Sequence, residues 1–166
     1  MFLAIEAVNK YLPQWSPAMS LKAEINNAMK DAMRAKDKPR LGAIRLIQAE
    51  VKRIEVDERI EIDDQRLVAI MDKMVKQRRD SITQYEAAGR DELAAIEIAE
   101  IEVIQDFLPT ALTAQEIVEL IQAAIAATGA ESMRDMGKVM GILKPQIQGR
   151  ADAGVVSAGV KKALAQ

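Results

Sequence analysis

The chain has 166 residues, of which 49% are apolar and 29% charged, with a net charge of −2; this is the composition of a globular protein of one or two small domains. It contains neither cysteine nor histidine, which excludes disulfide scaffolds, thiol nucleophiles, zinc sites built from Cys and His, and histidine acid–base catalysis. Only five aromatic residues occur, which also excludes the stacking platforms of RNA-recognition and single-strand-binding modules.

Residues 1–18 differ in composition from the rest of the chain. Three of the five aromatic residues, Phe2, Tyr11 and Trp15, lie in this leader together with two of the five prolines. The sequence that begins at Met19 is typical of a helical domain. We therefore expect the leader to lie outside the domain and Met19 to be the natural initiator.

No apolar run of the chain approaches the ~20 residues that a membrane-spanning helix requires. The start of the sequence also lacks the basic region and the long apolar stretch of a secretory signal. These features predict a protein that binds no membrane and lies in the cytoplasm.

From Ser20 onward the apolar residues recur with the 3.6-residue period of a helix, and no segment has the alternation typical of a strand. The first helix is predicted from Ser20 to Ala35. Asp37 is placed to cap a second helix, in whose first turn Pro39 is tolerated.

A long third helix is predicted to begin at Asp63 or Asp64 and to end at Gly89, a residue suited to a left-handed cap. Asp91 begins a fourth helix, which runs to Leu108. Pro109 ends it because the residue before a proline avoids the helical region.

Beyond Pro109 the sequence contains signals for three shorter helices. Thr113-Ala-Gln-Glu116 is a capping box, and Gly129 is suited to end the helix that follows. Ser132-Met-Arg-Asp135 repeats the capping-box signature before a short helix. The segment 144–152 is predicted to link this helix to the last one, which begins after Asp152.

The sequence thus predicts an all-α fold of two units. A four-helix unit covers residues 19–108, a Leu-Pro hinge follows at Leu108-Pro109, and a smaller three-helix unit covers residues 109–166. Because a core of this smaller size gives only marginal stability, we expect the second unit to depend on a partner or on the first unit.

Charged residues are grouped in blocks of one sign. Residues 22–53 contain nine basic and four acidic side chains, residues 54–72 two and seven, and residues 91–108 none and six. We expect blocks of opposite sign to neutralise one another through the packing of antiparallel helices. Residues 109–166 have a net charge of +1, which by itself does not indicate nucleic-acid binding.

Arg78 and two glutamates interrupt the apolar faces of the third and fourth helices. At 100° per residue, Arg78 falls on the apolar face of its helix, and Glu100 falls on that of the fourth, with Glu97 at the flank. Because an uncompensated buried charge is very costly, Arg78 is expected to pair with Glu100 or Glu97. The pair is either a structural clamp or a substrate-binding or acid–base site.

Lys76 and Arg79 point away from this apolar face. With Gln77 between them and Lys73 one turn earlier, they form a short basic ridge suited to phosphate contacts. The alternative interpretation is an ordinary solvated helix face.

Gly149 and Arg150 precede the start of the last predicted helix. Free backbone N–H groups, the positive end of the helix dipole and a guanidinium form a candidate anion site there. The alternative is structural, with Gly149 permitting a tight turn and Asp152 capping a helix. Four lysines are placed to extend the anion site: Lys138, Lys144, Lys161 and Lys162.

No motif of the sequence indicates a catalytic residue, a metal site or a cofactor. It contains no phosphate-binding loop of Walker type and no Asp-x-Asp or His-Glu-x-x-His arrangement. Asp63-Asp64 is interpreted as a helix start, and Ser81 and Ser157 stand alone on helices.

Six motifs follow one another in an order that matches a known family. They are Lys76-Gln-Arg-Arg-Asp-Ser-Ile82, Tyr85-Glu-Ala-Ala-Gly-Arg90, Glu97-Ile-Ala-Glu100, Phe107-Leu-Pro109, Asp135-Met-Gly-Lys-Val-Met140 and Gly149-Arg-Ala-Asp152. From Met19 to the C-terminus the chain resembles the GatB/YqeY family, and within it the free-standing YqeY-like proteins. The leader has no counterpart in that family.

The resemblance implies an all-helical fold in two parts. It also implies kinship with the tail of the GatB subunit of the glutamine-dependent tRNA amidotransferase, a module regarded as a tRNA contact. The amidase and kinase chemistry of that enzyme resides in other domains, whose motifs this sequence lacks.

From the resemblance we expect a non-catalytic helical adaptor that binds tRNA or tRNA-processing enzymes and not DNA. Lysines and Arg150 of the smaller unit would supply the phosphate contacts. Two alternatives stay open. One is a carbon–nitrogen ligase with glutamine as the amide donor, and the other is a protein-only interaction module.

Overall fold

The computed structural model describes residues 19–165, so the predictions for the leader lie outside the described residues. Residues 19–165 form seven α-helices and one short 3₁₀ turn without any strand, which confirms the predicted all-α class. No helix in this part of the chain is long and apolar enough to cross a membrane. The helices are α1 (Leu21–Arg34), α2 (Lys38–Glu58), α3 (Asp64–Ala87), α4 (Asp91–Gln105), α5 (Ala114–Thr128), α6 (Met136–Ile147) and α7 (Ala153–Leu164).

The described chain divides into two compact units, residues 19–108 with α1–α4 and residues 109–165 with α5–α7. Three of the four helix starts of the first unit are capped by a side chain as the sequence predicts, whereas α4 begins after Arg90 without such a cap. Ser20 Oγ accepts a hydrogen bond from the N–H of Ala23 (3.2 Å), and Asp37 Oδ1 accepts one from the N–H of Arg40 (3.1 Å). These bonds satisfy N–H groups that have no partner inside the helix.

Two adjacent aspartates cap two different helices. Asp63 Oδ1 accepts from the N–H of Arg66 (2.8 Å) and caps α3, to which it belongs in sequence. Asp64 Oδ1 instead accepts from the N–H of Leu21 (3.0 Å), the first residue of α1. The pair is therefore a helix start, as predicted, and it also fixes α1 against α3.

The core of the first unit is aliphatic and rich in methionine, and it draws residues from all four helices. α3 packs against α4, and α2 contacts α1, α3 and α4. Buried side chains of α3 face Ile104 of α4, whose surface is fully buried. The largest fully buried side chains of this unit are Ile44, Ile47, Leu67, Met71 and Ile104.

The second unit packs α5, α6 and α7 around a separate aliphatic core. The predicted capping box of α5 is confirmed, because Glu116 N–H donates to Thr113 Oγ1 (3.2 Å) and Thr113 N–H to Glu116 Oε2 (2.8 Å). The helices pack closely at Gly159 of α7, where a Cβ atom would lie 2.7 Å from Ile121 Cδ1.

Two local predictions for the second unit are wrong. Ser132 makes no capping bond, since a 3₁₀ turn over Met133–Asp135 follows it and α6 begins only at Met136; Asp135 Oδ2 accepts from Glu131 N–H and Ser132 Oγ (both 3.3 Å). The predicted link at 144–152 is also too long, since α6 continues to Ile147. Pro145 lies in the last turn, where its missing N–H removes a single helical bond.

Candidate functional site

Helices α6 and α7 carry basic side chains and no acidic ones. Lys138 and Lys144 belong to α6, Lys161 and Lys162 to α7, and all four are exposed. The two helices pack against each other and are joined by only five residues, 148–152. α5, by contrast, contains two glutamates and no basic residue. Four of the six basic residues of the near-neutral second unit therefore lie on one pair of helices.

Three of these four lysines have no ion-pair partner within residues 19–165. Lys138 Nζ lies 3.5 Å from Asp135 Oδ1, whereas no carboxylate of the described chain pairs with Lys144, Lys161 or Lys162. Hydrogen bonding from the N–H of Glu131 holds the pKa of Asp135 below its ordinary value, and the charge of Lys138 contributes. An ammonium group without a neighbouring carboxylate is available to a phosphate.

Arg150 and Gly149 shape the connection between α6 and α7. Gly149 has a φ of +71°, a left-handed conformation that favours glycine. Arg150 Nε donates to the carbonyl oxygen of Thr110 (2.8 Å), and the Arg150 carbonyl accepts from the N–H of Leu112 (2.8 Å). The structure thus ties Arg150 to the segment that precedes α5.

The N-terminus of α7 is satisfied by its own capping residue. Asp152 Oδ1 accepts from the N–H groups of Gly154 (2.7 Å) and Val155 (3.1 Å). An anion bound at this terminus would have to compete with the Asp152 carboxylate for the same N–H groups. The geometry therefore disfavours the helix terminus as an anion site.

The basic ridge predicted on α3 lies in the first unit. Lys76 and Arg79 are both exposed, and neither has an ion-pair partner within residues 19–165. In the next turn of α3, Thr83 Oγ1 donates a hydrogen bond to the carbonyl oxygen of Arg79 (3.1 Å). The ridge is thus a second exposed basic feature, with fewer charges than α6 and α7.

Arg78 is held between two carboxylates of α4. Its Nε lies 2.8 Å from Glu100 Oε2 and 3.9 Å from Glu97 Oε2, and its NH1 group donates to the carbonyl of Met74 (3.3 Å). The side chain of Arg78 is 13% exposed. One guanidinium therefore joins α3 to α4, and the arrangement fits the structural interpretation of this cluster.

The remaining polar groups of the described chain offer few ligand sites. Within residues 19–165 no group of three acidic residues is placed to hold a metal ion. The buried amide of Gln146 in α6 donates through Nε2 to the carbonyl of Ile142 (3.2 Å), while its Oε1 atom has no partner. Sequence reasoning missed Gln146, because residues 144–152 are predicted as a link, whereas α6 continues to Ile147 and buries this side chain.

Comparison with known proteins places this arrangement in context. The family model described as Yqey-like protein matches residues 22–164. A protein of Pyrenophora tritici-repentis (strain Pt-1C-BFP), named Altered inheritance of mitochondria protein 41, mitochondrial, is 31% identical over 159 residues, which are 93% of this chain and 87% of the relative.

Two relatives with the same name match over shorter stretches. The protein of Candida glabrata (strain ATCC 2001) is 39% identical over 82 residues, which are 48% of this chain and 45% of the relative. The protein of Saccharomyces cerevisiae (strain YJM789) is 27% identical over 135 residues, or 78% of this chain and 71% of the relative.

The predicted cytoplasmic location is contradicted by these relatives, since each of their names contains the word mitochondrial. That prediction rested on the lack of a long apolar run and of a secretory signal in the sequence. Neither feature distinguishes the cytoplasm from other compartments that proteins reach without a secretory signal.

Proposed function

We propose, since the chain belongs to the Yqey-like protein family, that it is a helical adaptor that binds tRNA and catalyses no reaction alone. The carrying observation is the pair of helices α6 and α7, which present four exposed lysines and no carboxylate. Exposed lysines attract the sugar-phosphate backbone of an RNA, whose contacts are the dominant source of affinity in such complexes.

The composition of the second unit determines how it reads an RNA. Residues 109–165 contain no aromatic side chain on which a base could stack. Lysines are compact, flexible point charges that contact phosphate without the fixed fork of arginine. Recognition then depends on the shape of the folded RNA and on the spacing of its phosphates.

Filter binding of bulk tRNA to the full chain, across a series of salt concentrations, tests this proposal. If four lysines each displace one counterion, log Kd rises with log salt with a slope of roughly 3 to 4. A duplex DNA of equal length serves as the comparison and should bind more weakly. Absence of salt-sensitive affinity for tRNA would overturn the proposal.

A further inference from the structure

An open groove of about 910 Å³ lies between α2 and α4 of the first unit. Leu46 of α2 and Ile96 of α4 line it, with 44% and 56% of their surfaces exposed. Small residues form much of the remaining wall, so that another backbone can approach closely. These small residues are Gly42, Ala43, Ala95 and Ala99.

The groove has the length of a short helix. Its lining spans residues 37–46 along α2 and residues 95–106 along and just beyond α4. At a rise of 1.5 Å per residue these stretches measure roughly 15 and 18 Å, which is about three helical turns.

The ends and rim of the groove are charged. At one end Arg40 pairs with Asp106 (2.6 Å), and its guanidinium lies 5.9 Å from the centre of the Phe107 ring. Acidic residues outnumber basic ones in the lining, with Asp37, Glu100, Glu102 and Asp106 against Lys38 and Arg40. Glu102 is exposed and has no ion-pair partner within residues 19–165.

Glu100 adds to the negative character of the α4 side. Its partner Arg78 also lies near Glu97, so one guanidinium faces two carboxylates. No basic residue occurs anywhere in α4. The α4 wall therefore combines apolar surface with uncompensated negative charge.

These features select among possible occupants. Nucleic acid is repelled by the acidic rim. An extended peptide would leave its own N–H and C=O groups unpaired against the apolar wall, because α2 and α4 use their backbone groups internally. A helix brings its backbone bonds with it and matches both the length and the shape of the groove.

We propose that this groove binds an amphipathic helix of a partner protein, with apolar residues towards Leu46 and Ile96 and basic residues along the flank that faces Glu102. This proposal does not rest on tRNA binding, since it is argued from residues of the other unit and from the opposite charge. Each proposal can therefore fail without the other.

Nuclear magnetic resonance of the full chain, labelled with ¹⁵N, gives a direct test. The probe is a 14-residue amphipathic peptide with leucine and alanine on one face and lysine along one flank. A second peptide has glutamate in place of every lysine. We expect the lysine peptide to shift amide signals of residues 37–46 and 95–106, and the glutamate peptide to bind at least tenfold more weakly.

Matched surface variants locate the interaction. Ile96→Asn and Glu102→Gln should each weaken binding of the lysine peptide, the first by about tenfold, which corresponds to 1.4 kcal/mol. Ile98→Asn and Glu86→Gln are the controls, because both residues are exposed and neither lines the groove. All four positions are exposed, so the amide spectra should keep the dispersion of the folded chain.

Three outcomes would overturn the proposal. One is equal binding of the two peptides, and another is signal shifts that lie mainly outside the groove. The third is a concentration-dependent dimer that covers these same residues in the absence of peptide, because the occupant would then be a second copy of the chain.

Discussion

Arg78 is a single side chain that joins two helices, and the stability of their contact depends on it. Its guanidinium is 13% exposed, and the nearby Glu100 carboxylate is 23% exposed. Removal of the arginine would leave Glu97 and Glu100 close together in a partly buried site. Such an uncompensated charge is costlier than the loss of the ion pair itself.

The variant Arg78→Met should therefore lower the free energy of unfolding by about 2 kcal/mol, less than the loss at a fully buried pair, because water reaches both groups. Urea unfolding monitored by circular dichroism measures this change. The double variant Arg78→Met, Glu100→Leu should regain part of the loss, since the orphaned charge is gone.

Arg34 offers the control for this measurement. It pairs with Asp31 at 3.2 Å, but both side chains are more than 70% exposed. Arg34→Met should change stability by less than about 0.5 kcal/mol. Equal effects of the two substitutions would contradict the clamp between α3 and α4.

Glu55 makes the stability of the first unit depend on pH. The hydrogen bond from Lys22 Nζ (2.6 Å) lowers the pKa of this carboxyl below its ordinary 4.5, and the N–H of Ile62 (3.3 Å) adds to the effect. A carboxyl with a lowered folded-state pKa contributes stability above its unfolded-state pKa. That contribution is lost as the pH falls through the lowered value.

The variant Glu55→Gln should thus be less stable than the parent at pH 7, and the difference should shrink below pH 4.5. Thermal unfolding of both proteins between pH 7 and pH 3 measures this stability difference. The stability difference between Lys22→Met and the parent should likewise shrink below pH 4.5, because this variant removes the main cause of the lowered pKa of Glu55. A stability difference that stays constant with pH would contradict this account.

At the scale of helices, local signals in the sequence determine most of the starts and ends. Ser20, Asp37 and Asp63 cap helices because each carboxylate or hydroxyl competes only with water for a free N–H group. Gly89 and Gly129 follow helices with φ of +68° and +61°. Local chemistry of this kind can be predicted without knowledge of tertiary contacts.

Features that depend on distant residues could not be predicted in the same way. Asp64 caps α1, which lies 43 residues earlier in the chain. The contact of Arg150 with Thr110 likewise crosses 40 residues. The groove between α2 and α4 arises from two helices that are not consecutive, and single exposed apolar residues such as Leu46 carry no recognisable pattern in the sequence.

The bond from Leu21 N–H to Asp64 is testable at this scale. Asp64→Ala should lower the free energy of unfolding of the chain by about 1 kcal/mol, the usual value of a helix cap. Hydrogen exchange of the α1 amides should accelerate at the same time, since the first turn loses its anchor to α3. Unchanged exchange in α1 would contradict the cross-helix cap.

The close packing of α5 against α7 gives a second prediction for an element. Gly159→Val should destabilise the second unit by about 2 kcal/mol, because added atoms must displace Ile121 from its packed position. Gly141→Val is the matched control, since a Cβ there meets nothing within 4 Å. It should stay within about 0.5 kcal/mol of the parent, and urea unfolding followed by circular dichroism compares the two variants.

At the scale of the whole molecule, the position of charged side chains without an ion-pair partner determines which surfaces can bind charged partners. Opposite blocks of the first unit meet in pairs, as the sequence predicts: Lys22 with Glu55, Arg40 with Asp106 and Arg78 with Glu100. The charges that have no ion-pair partner within residues 19–165 include Glu102 in the groove of this unit, basic residues elsewhere on the same unit such as Lys76 and Arg79, and three lysines of the helix pair on the other unit. A net charge near zero conceals two surfaces of opposite sign.

The central claim is that the basic helix pair binds tRNA, and one comparison of two variants tests it most directly. The first variant replaces Lys138, Lys144, Lys161 and Lys162 by glutamine. The second replaces four exposed lysines of the first unit that have no ion-pair partner within residues 19–165. These are Lys30, Lys36, Lys38 and Lys52.

Both variants lose four positive charges, so a general effect of net charge acts on them equally. The measurement is tRNA affinity as a function of salt concentration. We predict that only the first variant loses most of its affinity and most of the salt dependence, with the slope reduced by roughly 3 to 4. An equal loss in the two variants, or a larger loss in the second, would contradict the account.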